Sequence, residues 1–328
     1  MSTSDPAPRF PDGLLRLLAE AQPRTPRELA VRLGIPVPEV EAGLQGLRQA
    51  GLDWRGQAGY ILPPEPPPDP VDADAVGAAL KDLPQVPQVH ALEQVDSTSA
   101  WLDRARRQGM RGPVACCADF QSAGRGRRGR QWRMPPCAGM ALSLLWDIRH
   151  WPRPDASVTL AAGVALARAL EDLGVRGLQL KWPNDLYLDG RKLGGILVEA
   201  RAGRDGPDAL ILGVGINLRL PPHMEVGQPH ADLAGAGLDP LPSRSLLVAA
   251  LIRALAGMLQ SFPEPGFAAF LGEWNRRDAT RDRPVALSGG DGCTGIARGV
   301  DAGGRLCLET DRGMQRVETG EIGLRSRP

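Results

Sequence analysis

Lysine is nearly absent: Lys81, Lys181 and Lys192 are the only three in 328 residues, although lysine and arginine together number 39. Aromatic residues make up 4% of the chain and histidine occurs four times. The five cysteines, at 116, 117, 137, 293 and 307, are odd in number and form no Cys-x-x-Cys pair. They indicate neither a disulfide framework nor a zinc site, so no metal ligand is expected. Reduced thiols in the cytoplasm fit this usage. The start, MSTSDPAPRF, has no basic stretch leading into an apolar run, so no signal peptide is expected. No segment approaches the roughly 18 unbroken apolar residues of a membrane span, so no membrane partner is expected. A formal charge of +1 provides no global attraction to nucleic acid or acidic partners. What is present is 42% apolar residues, enough for a real core, with 40 glycines and 31 prolines to punctuate it.

The chain divides into a winged helix-turn-helix at 1–63, a Pro-rich linker at 64–80, an α/β region at 81–280 and a β-rich end at 281–328. In the first part, Thr25 and Glu28 suit a capping box. Gly34 suits the turn, Pro38 to Ala50 a second helix with Val40, Leu44 and Leu47 inward, and LDWRGQAGYIL a two-stranded wing. PPEPPPDP (63–70) is semi-rigid by composition. In the α/β region, 156–174 and 245–262 read as helices, and 141–148, 195–200 and 209–218 as strands. From Arg283 onward, short strands with turns at SGGDG and DAGG suggest a small barrel of SH3-like size.

Four segments carry chemistry. In Gln121-Ser-Ala-Gly-Arg-Gly-Arg-Arg-Gly-Arg130-Gln-Trp, three glycines alternate with four arginines and no acid intervenes. Glycines permit close backbone approach, and arginines donate several hydrogen bonds to phosphate oxygens. The segment reads as an anion clamp or, equally, as an RNA-binding or merely solvated turn. It is neither a P-loop nor a dinucleotide fingerprint. In KWPNDLYLDGRKLGGILVE (181–199), Lys181 ends an apolar strand beside a Pro-Asn-Asp turn. It suits a cleft ammonium or a snorkelling strand-end lysine. Asp96-Ser-Thr-Ser99 is first of all a helix N-cap. Gly213-Val-Gly-Ile-Asn217 places glycines inside a strand, where a ligand or a second strand approaches closely, followed by an amide that both donates and accepts.

Together, DSTS, QSAGRGRRGRQW, KWPNDLYLDGRKLGGILVE and GVGINL resemble the biotin–protein ligase family in order and approximate spacing, and the likeness spans nearly the whole chain. The layout resembles the bifunctional ligase–repressor class. The resemblance implies an α+β protein with a class II synthetase-like mixed sheet bearing helices on one face. It implies that biotin and ATP, with Mg²⁺, form biotinyl-5′-AMP and pyrophosphate. Biotin then passes to a lysine on the biotin carboxyl carrier protein domain of acetyl-CoA carboxylase. By matched position, Ser97, Thr98, Ser99, Gln121, Gly124, Arg125, Gly126, Arg127, Lys181, Gly194 and Gly195 would contact biotin. Arg127, Arg128, Trp132, Asn184, Lys192 and Asn217 would hold the nucleotide, and Lys181, Arg125 and Arg127 would be catalytic. A homodimer through the edge of the central sheet and operator DNA are the further partners implied. A lipoate–protein ligase shares this logic but predicts a different anion loop. A ligand-sensing regulator without catalysis would need a basic recognition helix.

Three departures stand out. Ser99 takes the place of an asparagine frequent in the family, and His230 falls near the position of an adenine-stacking tryptophan. The second helix of the helix-turn-helix carries Glu39 and Glu41 with Arg48 as its one cation. Residues 1–64 hold seven arginines and no lysine against seven carboxylates. A phosphate-neutralising surface is therefore missing, and weak or no DNA binding is expected.

Overall fold

The computed structural model describes residues 8–152, 156–203, 206–221, 224, 228–238, 240–288 and 293–324. Most of the SGGDG turn expected at 288–292 lies outside them.

The first unit holds helices α1 (Leu14–Ala19), α2 (Pro26–Leu33) and α3 (Val37–Gln49) and the hairpin β1 (Arg55–Gln57)–β2 (Tyr60–Leu62). Thr25 and Glu28 form the capping box at the start of α2, and Gly34 ends that helix at φ 68°. Leu14, Leu15, Leu29, Leu44 and Leu47 close its core, onto which Phe120 of the next unit packs.

Residues 73–80, expected within the linker, instead form helix α4 (Ala73–Leu80). Asp72 caps it by accepting the Asp74 and Ala75 N–H groups at 2.8 and 3.1 Å. Val76 and Leu80 are fully buried in the main core, which sequence-level reading of a Pro-rich stretch overlooked.

The central sheet has seven strands: β3 (Gln88–Val95), β4 (Val114–Gln121), β5 (Gly139–Asp147), β6 (Leu178–Lys181), β7 (Asp185–Leu188), β8 (Arg191–Ala202) and β9 (Pro207–Asn217). Their spatial order is β3-β4-β5-β9-β8-β7-β6. The β3–β4 pair is parallel and the others antiparallel, so the sheet is mixed. Residues 141–148 fall mostly in β5, an interior strand paired on both sides; the edges are β3 and β6.

Helices cover both faces, not one. Helix α6 (Ser157–Asp172) packs on one face with α7 (Arg244–Ser261) and α8 (Ala268–Arg277), burying Leu166, Leu170, Leu251 and Leu255. Helix α5 (Thr98–Arg107) lies on the opposite face, with Leu102 against Val114, Cys116, Leu145 and Ile211. The period of two along β4 explains this: Cys116 faces α5, whereas Ala115 and Cys117 face the α6–α7 side. Helix α7 is long and apolar enough to span a membrane by composition, yet 56% of it is buried inside the protein.

The C-terminal sheet, β10 (Pro284–Ser288), β11 (Thr294–Val300), β12 (Leu306–Thr310), β13 (Gly313–Val317) and β14 (Glu321–Leu324), is antiparallel in the order β13-β12-β11-β10-β14. Trp182 fastens it to the central unit, its Nε1 donating to Gly304 O at 3.1 Å.

Candidate active site

A cavity of about 400 Å³ opens where β4 and β9 end and β5 begins. Its floor is made of hydroxyls. Ser97 caps α5, so Thr98 and Ser99 enter the first helical turn facing the sheet, and all three are at most 5% exposed. Thr98 donates its backbone N–H to Gln121 Oε1 at 2.9 Å. Its hydroxyl lies 2.7 Å from Ser143 Oγ, and Ser99 Oγ lies 2.9 Å from that same atom. Glycines let the walls close in. A Cβ on Gly213 would stand 2.9 Å from Ser99 Oγ, and one on Gly215 would stand 2.4 Å from the Trp132 ring.

The arginine–glycine segment forms a strap over this floor. The backbone N–H of Trp132 donates to Gly124 O at 2.9 Å and that of Gly126 to Arg130 O at 2.7 Å, and Arg125 pairs with Gln131 as an isolated antiparallel bridge. Arg128 and Gly129 turn it at φ 54° and 73°. Each arginine is tied down. Arg125 pairs with Glu199 and Arg130 with Glu321, while Arg128 donates to Ser288 O at 3.3 Å. Arg127 donates to Asn184 Oδ1 at 3.3 Å, and burial holds its guanidinium below the ordinary arginine range.

Lys192 is the ammonium of the cavity. It is 9% exposed, with Nζ 2.7 Å from Asp185 Oδ1 and 5.8 Å from the Trp132 ring centre. Strict alternation would turn it away, because Gly195 and Leu197 line the cavity. Between β7 and β8 the register jumps: Leu186 faces Gly194 and Tyr187 faces Lys192, leaving Leu193 as the extra residue of a bulge. The bulge flips Lys192 to the cavity side.

Of the residues expected at the site, Ser97, Thr98, Ser99, Gln121, Arg125, Gly126, Arg127, Trp132, Asn184, Lys192, Gly195 and Asn217 line one cavity, and His230 joins them. Four do not. Lys181, expected at the reacting centre, ends the edge strand β6 and points its Nζ at Tyr187 Oη, 3.1 Å away; the cavity lies over β4, β5, β9 and β8 instead. Arg128 leans toward the C-terminal sheet. Gly124 packs under the strap, where a Cβ would meet Trp132 O at 2.3 Å, and Gly194 packs on Gly215 O. Asn217 commits Nδ2 to Ala231 O at 2.9 Å and Lys192 O at 3.4 Å, leaving only Oδ1 for a ligand. Sequence reading missed Ser143 and the pairing role of Asp185. Ser143 is the lone polar residue of the run ALSLLW, and that was the available signal.

A family model for the biotin/lipoate A/B protein ligase family matches residues 91–217, and one for the biotin protein ligase C-terminal domain matches 282–325. The bifunctional ligase/repressor BirA of Salmonella typhimurium is 37% identical over 320 residues, covering 95% of this chain and 97% of that protein. A biotin–[acetyl-CoA-carboxylase] ligase of Paracoccus denitrificans is 32% identical over 70% of this chain and 98% of its own length. The biotin protein ligase from Aquifex aeolicus, solved with biotin and ATP, superposes with a TM-score of 0.63 at 27% identity, covering 73% of this chain and 99% of that one. A hydroxyl floor, an arginine strap and a buried ammonium in this fold, with relatives this similar along nearly the full chain, place it: the chain belongs to the biotin–protein ligase family.

Proposed function

We propose that the chain adenylates biotin with ATP and passes the biotinyl group to a lysine of a biotin carboxyl carrier protein domain, the acceptor being that of acetyl-CoA carboxylase. The observation that carries this is the cavity itself, where a neutral hydrogen-bonding floor adjoins Lys192 and Arg127. A carboxylate and a triphosphate repel one another, and cations fixed in a partly buried site offset that repulsion and stabilise charge developing in the transition state. Lys192 takes the role that sequence reading gave to Lys181. Asp185 and Trp132 steady it, and Asn184 steadies Arg127. The strap shields the mixed anhydride from water.

Among the described residues no three of His, Cys, Asp and Glu gather as a metal site. This donor set suits a Mg²⁺ carried by phosphate oxygens and water, whose chemistry is to neutralise the leaving pyrophosphate. The five cysteines are free, in keeping with a reducing cytoplasm. Incubation with labelled biotin, Mg·ATP and an acceptor domain tests the proposal. Label on the acceptor lysine is expected, and its absence with folded protein would favour a ligand sensor.

We further read the first unit as a winged helix-turn-helix, the catalytic unit as starting near Val71, and the C-terminal sheet as an SH3-like barrel. The helix-turn-helix binds DNA weakly or not at all on this reading. Arg48, the cation of α3, stacks on Trp54 at 4.2 Å and donates to its carbonyl. Arg16, Arg24, Arg32 and Arg55 are paired with carboxylates. Anisotropy titration against the chain's own biotin-gene promoter decides, and tight, salt-sensitive, sequence-specific binding would end this reading. A homodimer through an edge of the central sheet is part of this reading, with β3 the edge strand to use because Asp278 and Ala279 already bridge β6, and sedimentation with biotin and ATP tests it.

A further inference from the structure

The hydroxyl floor has a fixed direction of protons. Each hydroxyl donates one hydrogen bond and accepts others. The Thr98 backbone N–H, which can only donate, meets Gln121 Oε1 at 2.9 Å, and this fixes the amide with its oxygen toward Thr98. The Thr98 hydroxyl also reaches Gln121 Oε1, at 3.2 Å, and must donate there, because that oxygen carries no proton. Its single proton is then used. The 2.7 Å contact between Thr98 and Ser143 is therefore made by the Ser143 proton. With that proton used as well, the 2.9 Å contact between Ser99 and Ser143 is made by the Ser99 proton. Ser143 is fully buried, so no bulk water relieves the chain. Protons run from Ser99 to Ser143 to Thr98 to Gln121.

We propose that Ser143 is a specificity-determining positioning residue, which forces Thr98 and Ser99 to face the cavity as hydrogen-bond acceptors only. This deepens the biotin reading and rests on it. The matching head group turns an N–H donor toward these two oxygens, as one side of a cyclic urea does. Its carbonyl is left to the remaining donors, the Ser97 hydroxyl and Gln121 Nε2. A ring with oxygen in place of one N–H sets lone pair against lone pair at a site that cannot re-orient.

The test uses the full chain and two ligands, biotin and its cyclic-carbamate analogue with one ureido N–H replaced by oxygen. Adenylate formation gives KM and kcat for wild type and Ser143→Ala. Wild type is expected to reject the carbamate by about 100-fold or more in kcat/KM, since it leaves buried polar groups unpaired. In Ser143→Ala the Ser99 proton is released and free to turn into the cavity. KM for biotin is expected to rise about tenfold with kcat within about twofold, and carbamate discrimination to fall to about tenfold or less. Ser143→Cys, which restores a weak donor in nearly the same place, recovers part of the discrimination. A merely structural role weakens both ligands by the same factor, and that outcome, or no change in either, overturns the inference. If wild type forms no biotinyl adenylate at all, the biotin reading falls first and this inference with it.

Discussion

Replacing Lys192 by alanine removes an ammonium that is 9% exposed and lies 2.7 Å from Asp185 Oδ1. Two consequences add. The incoming carboxylate and α-phosphate lose a cation whose attraction, at about 4 Å and an effective dielectric near 20, is about 4 kcal/mol. Asp185 is also left as an unpaired carboxylate facing those anions. Part of the attraction acts already on bound substrates and does not enter kcat. An adenylation loss of about 10²–10³-fold is therefore expected, equivalent to about 2.7–4 kcal/mol. Lys192→Ala combined with Asp185→Asn should recover about tenfold of it by removing the stranded charge. Lys181→Ala loses one hydrogen bond to Tyr187 outside the cavity and should stay within about threefold of wild type. Single-turnover formation of biotinyl-5′-AMP without acceptor isolates the step. Activity of Lys192→Ala within threefold of wild type, or a collapse in Lys181→Ala, would refute the reasoning.

Three further outcomes follow from the geometry. Gly215→Ala places a Cβ 2.4 Å from the Trp132 ring, so the strap must shift; near-native melting with adenylation reduced at least about tenfold is expected, and unchanged activity would mean that the strap position does not matter. Arg244 is buried against Asp119 and also donates to Asp69 O at 2.8 Å and Gly139 O at 3.0 Å; Arg244→Ala strands a buried carboxylate and should cost about 3–5 kcal/mol in urea unfolding, against less than about 1 kcal/mol if the pair is dispensable. Burial raises the Glu93 carboxyl above its ordinary value, although it accepts the Gly13 N–H and pairs with Arg16. A raised folded-state pKa stabilises below the unfolded value of 4.5 and loses that contribution as pH climbs through the folded one. Glu93→Gln should therefore raise the melting temperature at about pH 7.5 more than at about pH 4.5, and an equal shift at both would show that its ionisation is unimportant to docking of the first unit.

Much of this was legible in the sequence, for identifiable reasons. Helices α6 and α7 and strands β5, β8 and β9 come from long apolar patterns bounded by glycine and proline, and they fall within a few residues of expectation, β8 running furthest beyond it. The strap is a continuous segment, so its composition announced it. What failed was information that strand periodicity and local composition do not carry. That Lys192 faces the cavity turns on the bulge at Leu193, which inverts its face and depends on how β7 pairs with β8. Ser143 was hidden because its partners, Thr98 and Ser99, are 45 and 44 residues away. Helix α4 was hidden because the prolines before it dominate the local composition, while its burial is decided by α7.

The most direct measurement is stoichiometric. Wild-type chain is mixed with biotin and Mg·ATP in the absence of any acceptor, and the products are separated. Equal amounts of pyrophosphate and enzyme-held biotinyl-5′-AMP, close to one per chain, with AMP released only when a carrier domain is added, are the predicted result. Release of ADP and phosphate, or no nucleotide cleavage by protein that binds biotin, would contradict the account.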